Sequence, residues 1–422
     1  MDILYIILQI RTITSTNLTS VYAPQSRAWQ VSYSRSSKVP QTSLLGSHFS
    51  IRSIQFIFLI IKTKVNRSQN SKFKYVYILY VEITMYSKQS MTKRRLFCVD
   101  THSSGEATRV LIGGIPKLKG KTMVEKQDYF QKHYDDLRPT MLKEPRGFAG
   151  MLGAVLTEPT SPEADVGVIY LWTDGYFAAC GDSTYSVSAV LVNTGMVEVT
   201  EPVTEIILDT VSGLVKSRVY VENGEAISIS MEGVPSYYTE TVKMEVPDVG
   251  MVEADIAYGG LWYAFIEASS LGLKMSLENK DEWIPLGWKI RNYLAEHVKV
   301  SHPRFPEQKI LDLVTFYTEP TVSGANTRHW NVFGPKQSCR SPAGTCTNAR
   351  MAALYGKGEL KQGEEFVAES TISTLHSGRI MKEVDLDGIK AIQPEVTATA
   401  YITSFNQVVI DPKDPQKAGF LF

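Results

Sequence analysis

Two short stretches, Cys180-Gly-Asp-Ser-Thr184 and Ala343-Gly-Thr-Cys-Thr347, decide the fold of this chain. Each is followed by an apolar run, at 185–192 and at 349–355, and then by a glycine. A glycine-containing turn, a helix-like run and a closing glycine together indicate a helix with its start and its end. The sequence therefore predicts two helices that begin in the same way, about 160 residues apart along the chain.

A second pair of matching motifs, Gly113-Gly114 and Gly259-Gly260, occurs in the same order. Two pairs of repeated motifs in the same order predict a duplicated half-domain with a functional site between the copies. Strand-like segments are mixed with a few helical ones, which favours an α+β architecture. Strands are predicted at 96–100, 166–172, 205–208, 213–221, 226–231 and 263–267, and helices at 123–137, 184–192, 281–299 and 348–354.

The first 93 residues differ in composition from the rest of the chain. They contain twelve Lys or Arg but only two acids, so the segment carries about +10 and the remainder about −10. Only Gly46 of the 29 glycines precedes residue 101, although folded α/β proteins need glycine at turns and helix ends. We therefore assign residues 1–93 no fold and no function, and the acidic body argues against a nucleic-acid partner.

Two interpretations of this segment are open. An acid-poor stretch containing Arg and Ser is compatible with an organelle transit peptide. The interpretation that we favour places it outside the working protein, with Met91 as the true start, because it is long for a transit peptide. Its apolar run at 54–61 is too short to span a bilayer, so no membrane partner is expected.

The cysteines and histidines limit the chemistry. Four cysteines in 422 residues are too few for a disulfide scaffold, which indicates a reducing compartment and a cytoplasmic location. The sequence has no Cys-x-x-Cys pair, no His-Glu-x-x-His pattern, no phosphate loop and no Gly-x-Gly-x-x-Gly after a strand. Neither a zinc site nor a nucleotide cofactor is therefore predicted.

The turn at Cys180 is suited to binding an anion and to activating a thiol. The first N–H groups of a helix and its dipole bind anions such as carboxylates. A cysteine at the same place has its pKa lowered, so that thiolate is available near neutral pH. The alternative from the residues alone is that Cys180 is a small buried apolar residue.

The ordered set of motifs after residue 94 resembles the proline racemase family, which includes hydroxyproline epimerases and trans-3-hydroxyproline dehydratases. Each motif is weak alone, but they follow the family order over about 320 residues. They include Val99-Asp-Thr-His-Ser-Ser-Gly-Glu106, Glu144-Pro-Arg-Gly147, Ala164-Asp-Val-Gly-Val168, Cys180-Gly181, Asp255-Ile-Ala-Tyr-Gly-Gly260 and Arg340-Ser-Pro342.

This resemblance implies a fold like that of diaminopimelate epimerase, with two similar half-domains and the active site in the cleft between them. We place the first half at 94–210, completed by 400–422, and the second half at 211–399. The family acts on imino acids without a cofactor. One cysteine from each half removes or returns the α-proton, while helix N–H groups hold the carboxylate. A homodimer is compatible with this picture.

Carried over by position, Cys180 is the first catalytic cysteine, and Gly181, Gly344 and Thr345 match the carboxylate-binding residues. Three further positions depart from the family. Ala343 replaces the second catalytic cysteine, Asp182 replaces a histidine, and Cys339 replaces an aspartate that addresses the ring amine, as the histidine does.

The loss of one thiol at Ala343 favours a lyase over a racemase, because alanine can neither donate nor accept a proton. The leading prediction is dehydration of trans-3-hydroxy-L-proline to pyrroline-2-carboxylate with a single cysteine base. The alternatives are a proline or hydroxyproline racemase or epimerase, and a non-catalytic imino-acid-binding protein.

Several residues near these motifs have two interpretations. Asp182 either pairs with the ring amine in place of the aspartate lost at Cys339, or is an ordinary polar residue of a first helical turn. Cys346 is expected to be a packed small residue, although a displaced second thiol is the alternative. Strand-end residues Asp100, His102 and Glu106 either support the site or form local hydrogen bonds.

Overall fold

The computed structural model describes residues 55–63, 74–82, 94–306 and 308–422, and the chain divides into two units, Met1–Met85 and Tyr86–Phe422. Within the segment to which the sequence assigns no fold, strands β1 (Gln55–Thr63) and β2 (Lys74–Glu82) pair antiparallel. Both strands are rich in β-branched and aromatic residues, which have high strand propensity. Met91 lies outside the described residues.

The second unit contains the remaining strands and all five α-helices of the described chain. Its helices are α1 (Met123–Tyr134), α2 (Leu137–Leu142), α3 (Gly181–Asn193), α4 (Lys280–His297) and α5 (Gly344–Gly356). Its first strands are β3 (Arg94–Ser103), β4 (Glu106–Gly113), β5 (Leu152–Thr157), β6 (Val166–Trp172), β7 (Gly175–Phe177), β8 (Val203–Thr210), β9 (Gly213–Glu222) and β10 (Glu225–Glu232). Next come β11 (Tyr237–Val246), β12 (Gly250–Tyr258), β13 (Trp262–Glu267), β14 (Leu313–Thr318), β15 (Thr327–Gly334), β16 (Gln337–Ser338), β17 (Glu365–Glu369), β18 (Leu375–Leu386), β19 (Ile389–Ala398) and β20 (Ala400–Ile410).

One predicted helix, 123–137, is divided in two. α1 ends at Tyr134 and α2 begins at Leu137. Pro139 explains the break, because its ring would clash with the carbonyl group four residues earlier, at Asp135, in a continuous helix. The Asp135 side chain instead accepts hydrogen bonds from the Arg138 guanidinium group, at 2.8 and 2.9 Å.

The order of strand pairing is repeated along the chain, which is the structural form of the predicted duplication. In the first copy, β3 and β4 are antiparallel, β4 and β5 are parallel, and β6 is antiparallel to β5 and β7. After α3, β8 pairs parallel with β6 and continues into the antiparallel strands β9 and β10. The same sequence of pairings runs from β12 through β16, α5 and β17 to β19.

The repeated order of strand pairing indicates where the first half ends and the second half begins. β20 pairs with β3 along its length, as β11 pairs with β12, so the last strand occupies in the first copy the place that β11 has in the second. The division proposed at residue 210 falls at the turn of the β8–β9 hairpin, where Thr210 pairs with Gly213. The repeated pairings place the corresponding junction between β10 and β11 instead, and β10 pairs with β19 to join the copies.

A buried carboxylate fixes the same turn in each copy. Asp209 accepts hydrogen bonds from the Thr160 N–H and hydroxyl groups, at 2.6 and 2.7 Å. Glu369 accepts the equivalent pair from Thr321, both at 2.5 Å. These threonines close two copies of the sequence Thr-Glu-Pro-Thr, so the duplication extends to individual hydrogen bonds.

Helices α3 and α5 are central in their halves. Twelve residues of α3 are buried, and Val187 and Val190 belong to a core that also includes Met351 of α5. A helix that is buried on all sides is held by contacts in every direction, so its first turn is fixed in place. None of the helices in the described part of the chain has the length and apolar character needed to cross a bilayer.

Candidate active site

The first turns of α3 and α5 face each other across the interface of the two halves. A Cβ atom placed on Gly181 would lie 3.1 Å from the Gly344 Cα, and one on Gly344 would lie 3.4 Å from the Gly181 Cα. Glycine at both positions therefore allows the two helix ends to approach closely. The first hydrogen bonds within the helices are donated by Thr184 and Thr347, which leaves the earlier N–H groups without helical partners. Two sets of N–H donors thus converge on one place.

A cavity of about 40 Å³ lies at this meeting point, between residues of both halves. All six predicted catalytic and substrate-binding residues line it, together with Ala343. The lining residues that matter for the chemistry are Cys180, Gly181, Asp182, Tyr263, Cys339, Ala343, Gly344 and Thr345. Cys339 also lines a larger groove of about 620 Å³, so it lies at the junction of the inner cavity and the groove.

Cys180 is the residue before α3, and its Sγ donates to the Ser183 Oγ at 3.3 Å. Burial, followed by the negative charge of Asp182, raises the pKa of the thiol to about 12. The sequence predicts the opposite direction from the helix N-terminus alone. The difference arises because desolvation of the thiolate outweighs the helix N–H groups in this enclosed site.

Ala343 occupies the equivalent position before α5 and offers only a methyl group to the cavity. Its backbone has φ of 63° and ψ of 123°, a conformation that residues with a side chain rarely adopt. The Ala343 N–H group donates to the Ser341 Oγ at 3.0 Å, which helps to hold this conformation. Cys180 and Ala343 therefore hold equivalent places before their helices but differ in backbone conformation, with φ of −148° and 63°, and in proton chemistry.

Comparisons with known proteins identify the family. A sequence profile of the family described as "Proline racemase" matches residues 98–421. The chain belongs to the proline racemase family. It is 41% identical to a proline racemase of Clostridioides difficile over 329 residues, which cover 78% of this chain and 98% of that protein. It is 36% identical to a trans-3-hydroxy-L-proline dehydratase of Bacillus thuringiensis subsp. konkukian over 324 residues, covering 76% and 97%.

A solved structure confirms the predicted fold class. The hydroxyproline epimerase of Agrobacterium vitis, crystallised with bound trans-4-hydroxy-L-proline, superposes with a TM-score of 0.72 at 29% sequence identity. The match covers 78% of this chain and 96% of the epimerase. This proline racemase family member therefore has two similar α+β half-domains with the cleft between them.

Asp182 is the second residue of α3, but its side chain contacts the other half. Its Oδ2 accepts a hydrogen bond from the Ser341 hydroxyl at 2.8 Å. Its Oδ1 is buried and has no hydrogen-bond partner among the described residues, with the His376 Nε2 3.9 Å away. Burial, followed by the charge of Glu106, raises the pKa of Asp182 to about 8.

Glu106 is a second buried carboxyl group of the site. It is fully buried and accepts the Arg340 N–H at 2.5 Å, with the Arg340 Nη1 3.6 Å from its Oε1. Burial outweighs the opposing effect of this guanidinium group and raises the pKa of Glu106 to about 7. Its charge also raises the pKa values of Cys180 and Cys339, so Glu106 acts on the site electrostatically.

The structure also decides between the two interpretations of Cys346 and of Asp100. Cys346 is fully buried, and its sulfur lies 3.5 Å from both the Thr315 Oγ1 and the His329 Nδ1, so it is a packed residue outside the cavity lining. Asp100 receives two hydrogen bonds from the Arg109 guanidinium group, at 2.7 and 2.8 Å. These pairings give Cys346 and Asp100 structural partners.

His102 also makes a local hydrogen bond, because its Nδ1 accepts the Gly105 N–H at 3.3 Å. Sequence reasoning missed two residues, Ser341 and His376. Ser341 links the Asp182 carboxyl group to the Ala343 backbone. His376 is fully buried, and burial lowers its pKa to about 3, so the imidazole beside Asp182 is neutral.

Proposed function

We propose that this protein dehydrates trans-3-hydroxy-L-proline to pyrroline-2-carboxylate, with Cys180 as the base. The observation that carries this proposal is the asymmetry of two otherwise equivalent helix ends. Cys180 presents a thiol to the cavity, while Ala343 presents a methyl group. Racemisation by two bases needs a proton donor on each face of the α-carbon, whereas dehydration needs one base and a departing hydroxyl group.

The convergent helix ends support binding of the substrate carboxylate. Gly181 on one side, and Gly344 and Thr345 on the other, belong to first helical turns that lie in close contact, and the dipoles of both helices favour a negative charge there. Asp182 and Cys339, which line the same cavity, are our candidates for contact with the ring nitrogen. A buried ring ammonium needs a charged partner, since an unpaired one would cost several kcal/mol.

Substrate binding also provides a route to the thiolate. The pKa of Cys180 is about 12 because the thiol is buried near negative charge. A ring ammonium group entering the cavity reverses the sign of the nearby charge and lowers this pKa. Because the cavity is small and mostly lined by buried residues, the N–H groups interact strongly with the charge that develops on the carboxylate.

A second function, racemisation or epimerisation of proline or hydroxyproline, is favoured by one specific observation. The relative with 41% identity is a proline racemase. In that reaction the missing thiol at Ala343 would have to be replaced by another proton donor, such as an ordered water molecule. A non-catalytic imino-acid binder is the third outcome of the test below.

The test is incubation of the full chain with L-proline, 4-hydroxyproline and trans-3-hydroxy-L-proline in deuterated water. We expect trans-3-hydroxy-L-proline to lose water, with the cyclic imine detected by o-aminobenzaldehyde. L-Proline should exchange its α-proton with retention of configuration, and D-proline should not accumulate. Rapid interconversion of L- and D-proline would refute the dehydratase proposal, and binding without exchange or turnover would indicate a binding protein.

The matched control is Cys180→Ser, because serine keeps the size of the side chain but its hydroxyl group is far less acidic. We expect this variant to lose both exchange and dehydration by more than about 100-fold while its melting temperature is unchanged. Retained activity would show that Cys180 is not the base.

A further inference from the structure

His376 carries a buried imidazole that the proposed reaction does not use. It lies on β18, is fully buried and does not line the inner cavity. Neither of its ring nitrogen atoms has a hydrogen-bond partner among the described residues. Buried polar atoms without partners are rare in folded proteins, because each one has lost its contact with water and gained nothing in return. A histidine in this state therefore needs an explanation other than packing.

The duplication shows that the fold does not need a histidine at this place. Asp209 and Glu369 are equivalent in the two copies, so the residues that precede them have equivalent partners in the next strand. That partner is Val215 in the first copy and His376 in the second. Val215 packs against the apolar core. An apolar side chain thus satisfies the fold at this position, and the polar ring is a feature of the second half alone.

The imidazole lies next to the free oxygen atom of Asp182, across the interface of the halves. The distance from the His376 Nε2 to the Asp182 Oδ1 is 3.9 Å, and this oxygen atom is also buried without a partner among the described residues. The distance is about 1 Å too long for a hydrogen bond. The other oxygen atom, Oδ2, already accepts the Ser341 hydroxyl at 2.8 Å. A small movement would therefore give partners to two buried polar atoms at once.

Tyr185 of α3 holds the imidazole in this position. The two rings make an edge-to-face contact, with centroids 5.7 Å apart and an interplanar angle of 72°. The Tyr185 hydroxyl group donates to the Val396 carbonyl at 3.0 Å, so the tyrosine is itself fixed across the halves. Because both rings are fully buried, packing keeps the histidine nitrogen near the carboxyl group.

The charge of Asp182 decides how strongly it attracts the imidazole. Its carboxyl group has one donor in the structure, the Ser341 hydroxyl, and burial, followed by the charge of Glu106, raises its pKa to about 8. A ring ammonium group beside Asp182 favours the ionised form. A carboxylate accepts shorter and stronger hydrogen bonds than a neutral carboxyl group, and a neutral imidazole can donate one through Nε2–H.

We propose that His376 is a positioning residue for the ring ammonium of the substrate, and that it donates its Nε2–H to the Asp182 Oδ1 when the ammonium group binds. This inference rests on the proposed function, in which Asp182 contacts the ring nitrogen. The Asp182 proton passes to solvent as the ammonium group enters. The carboxylate then accepts from Ser341, His376 and the substrate, so its orientation is fixed at both oxygen atoms.

The first test measures the binding of two ligands to His376→Val by calorimetry. L-Proline has a carboxylate and a ring ammonium, whereas (S)-tetrahydrofuran-2-carboxylate has the carboxylate and an uncharged ring oxygen. We expect the affinity for L-proline to fall about 10- to 100-fold, as for loss of a hydrogen bond to a charged group, and that for the oxygen analogue to change less than about 3-fold. Equal losses for both ligands, or no loss for L-proline, would overturn the assignment.

Stability separates this role from a structural one. Valine is the residue at the equivalent place in the first copy, and His376→Val removes two buried nitrogen atoms without partners, so the melting temperature should be unchanged or raised. A melting temperature lowered by several degrees, with both affinities reduced, would indicate a structural role and contradict the proposal. His376→Gln keeps an N–H donor of similar reach and should bind L-proline within about 5-fold of the unaltered protein. An affinity as low as that of His376→Val would contradict the donor role.

The second test is a double-mutant cycle with Asp182→Ala. If His376 acts through Asp182, His376→Val should change the affinity for L-proline by less than about 2-fold once Asp182 is alanine. A loss as large as in the protein that retains Asp182 would show that His376 acts by another route, and the proposal would be wrong.

The kinetics of dehydration distinguish failure of this inference from failure of the proposed function. In His376→Val, the KM for trans-3-hydroxy-L-proline should rise about 10-fold while kcat changes less than about 3-fold, because the hydrogen bond is present both in the bound substrate and in the transition state. A loss confined to kcat would overturn this inference alone, since the unaltered protein would still dehydrate its substrate. Absence of both binding and turnover in the unaltered protein would overturn the proposed function together with this inference.

Discussion

Gly181→Ala tests whether the two helix ends have to touch for the site to work. The added Cβ would lie 3.1 Å from the Gly344 Cα and 3.3 Å from its N, which is tighter than ordinary contact by a few tenths of an ångström. Both contacts are with backbone atoms in the first turn of a buried helix, so they can be relieved only by moving the helices apart. Overpacking of this kind destabilises a protein by about 1–3 kcal/mol.

The effect on function should be larger than the effect on stability. Displacement of the N–H donors by a fraction of an ångström weakens their hold on the carboxylate, and an error of about 1 Å can cost about 100-fold in rate. We expect Gly181→Ala to reduce kcat/KM for trans-3-hydroxy-L-proline about 10- to 100-fold, and to weaken proline binding measured by calorimetry. Gly344→Ala is the matched control, because its Cβ would meet the Gly181 Cα at 3.4 Å, an ordinary contact. Unchanged proline affinity in Gly181→Ala would refute the carboxylate cradle.

Three further predictions concern proton chemistry and the chain's first segment. Ala343→Cys should raise epimerisation relative to dehydration, because it restores a thiol at the second helix end and the cavity of about 40 Å³ can admit one sulfur atom. The ratio of the two products is measured by chiral chromatography. The same ratio in the variant and the unaltered protein would contradict this prediction. Because the pKa values of Asp182 and Glu106 are raised to about 8 and about 7, both groups bind protons more strongly in the folded state. Stability should therefore fall as pH rises from about 4 to about 8, by on the order of a few kcal/mol, and Glu106→Gln should flatten the dependence of urea midpoint on pH. Deletion of residues 1–90 should leave melting temperature and activity unchanged, since the family match begins at residue 98, and a melting temperature lowered by several degrees would contradict this.

The repeated helix starts could be found from the sequence because glycine, threonine and an apolar run leave a local pattern. The two helices begin at Gly181 and Gly344, three and four residues before the predicted starts at 184 and 348. The two Thr-Glu-Pro-Thr segments ending at Thr160 and Thr321 were a further local signal of the duplication, and their meaning appears only when each is seen bonded to its carboxylate. Local patterns thus gave the two-fold architecture.

Features that depend on distant parts of the chain could not be found in this way. The hydrogen bond between Ser341 and Asp182 joins residues 159 positions apart, and His376 approaches the same carboxyl group from a third region. The direction of the Cys180 pKa was mispredicted for the same reason, because the largest cause of its rise is burial, and the degree of burial is set by tertiary packing. The hairpin at Thr210, which crosses the proposed division of the halves, likewise depends on which strands pair.

The three departures from the family pattern acquire a common meaning when they are placed in the structure. Ala343 removes a proton-handling group from the second half, and Cys339 replaces a carboxylate there with a thiol whose pKa is raised well above its usual range. Asp182 adds a carboxyl group on α3 that lines the same cavity and is held by the Ser341 hydroxyl of the second half. Inversion at the α-carbon requires a proton-handling group on each face of the substrate, whereas elimination requires one base. The loss of the second thiol at Ala343 therefore weakens a racemase and is compatible with a dehydratase.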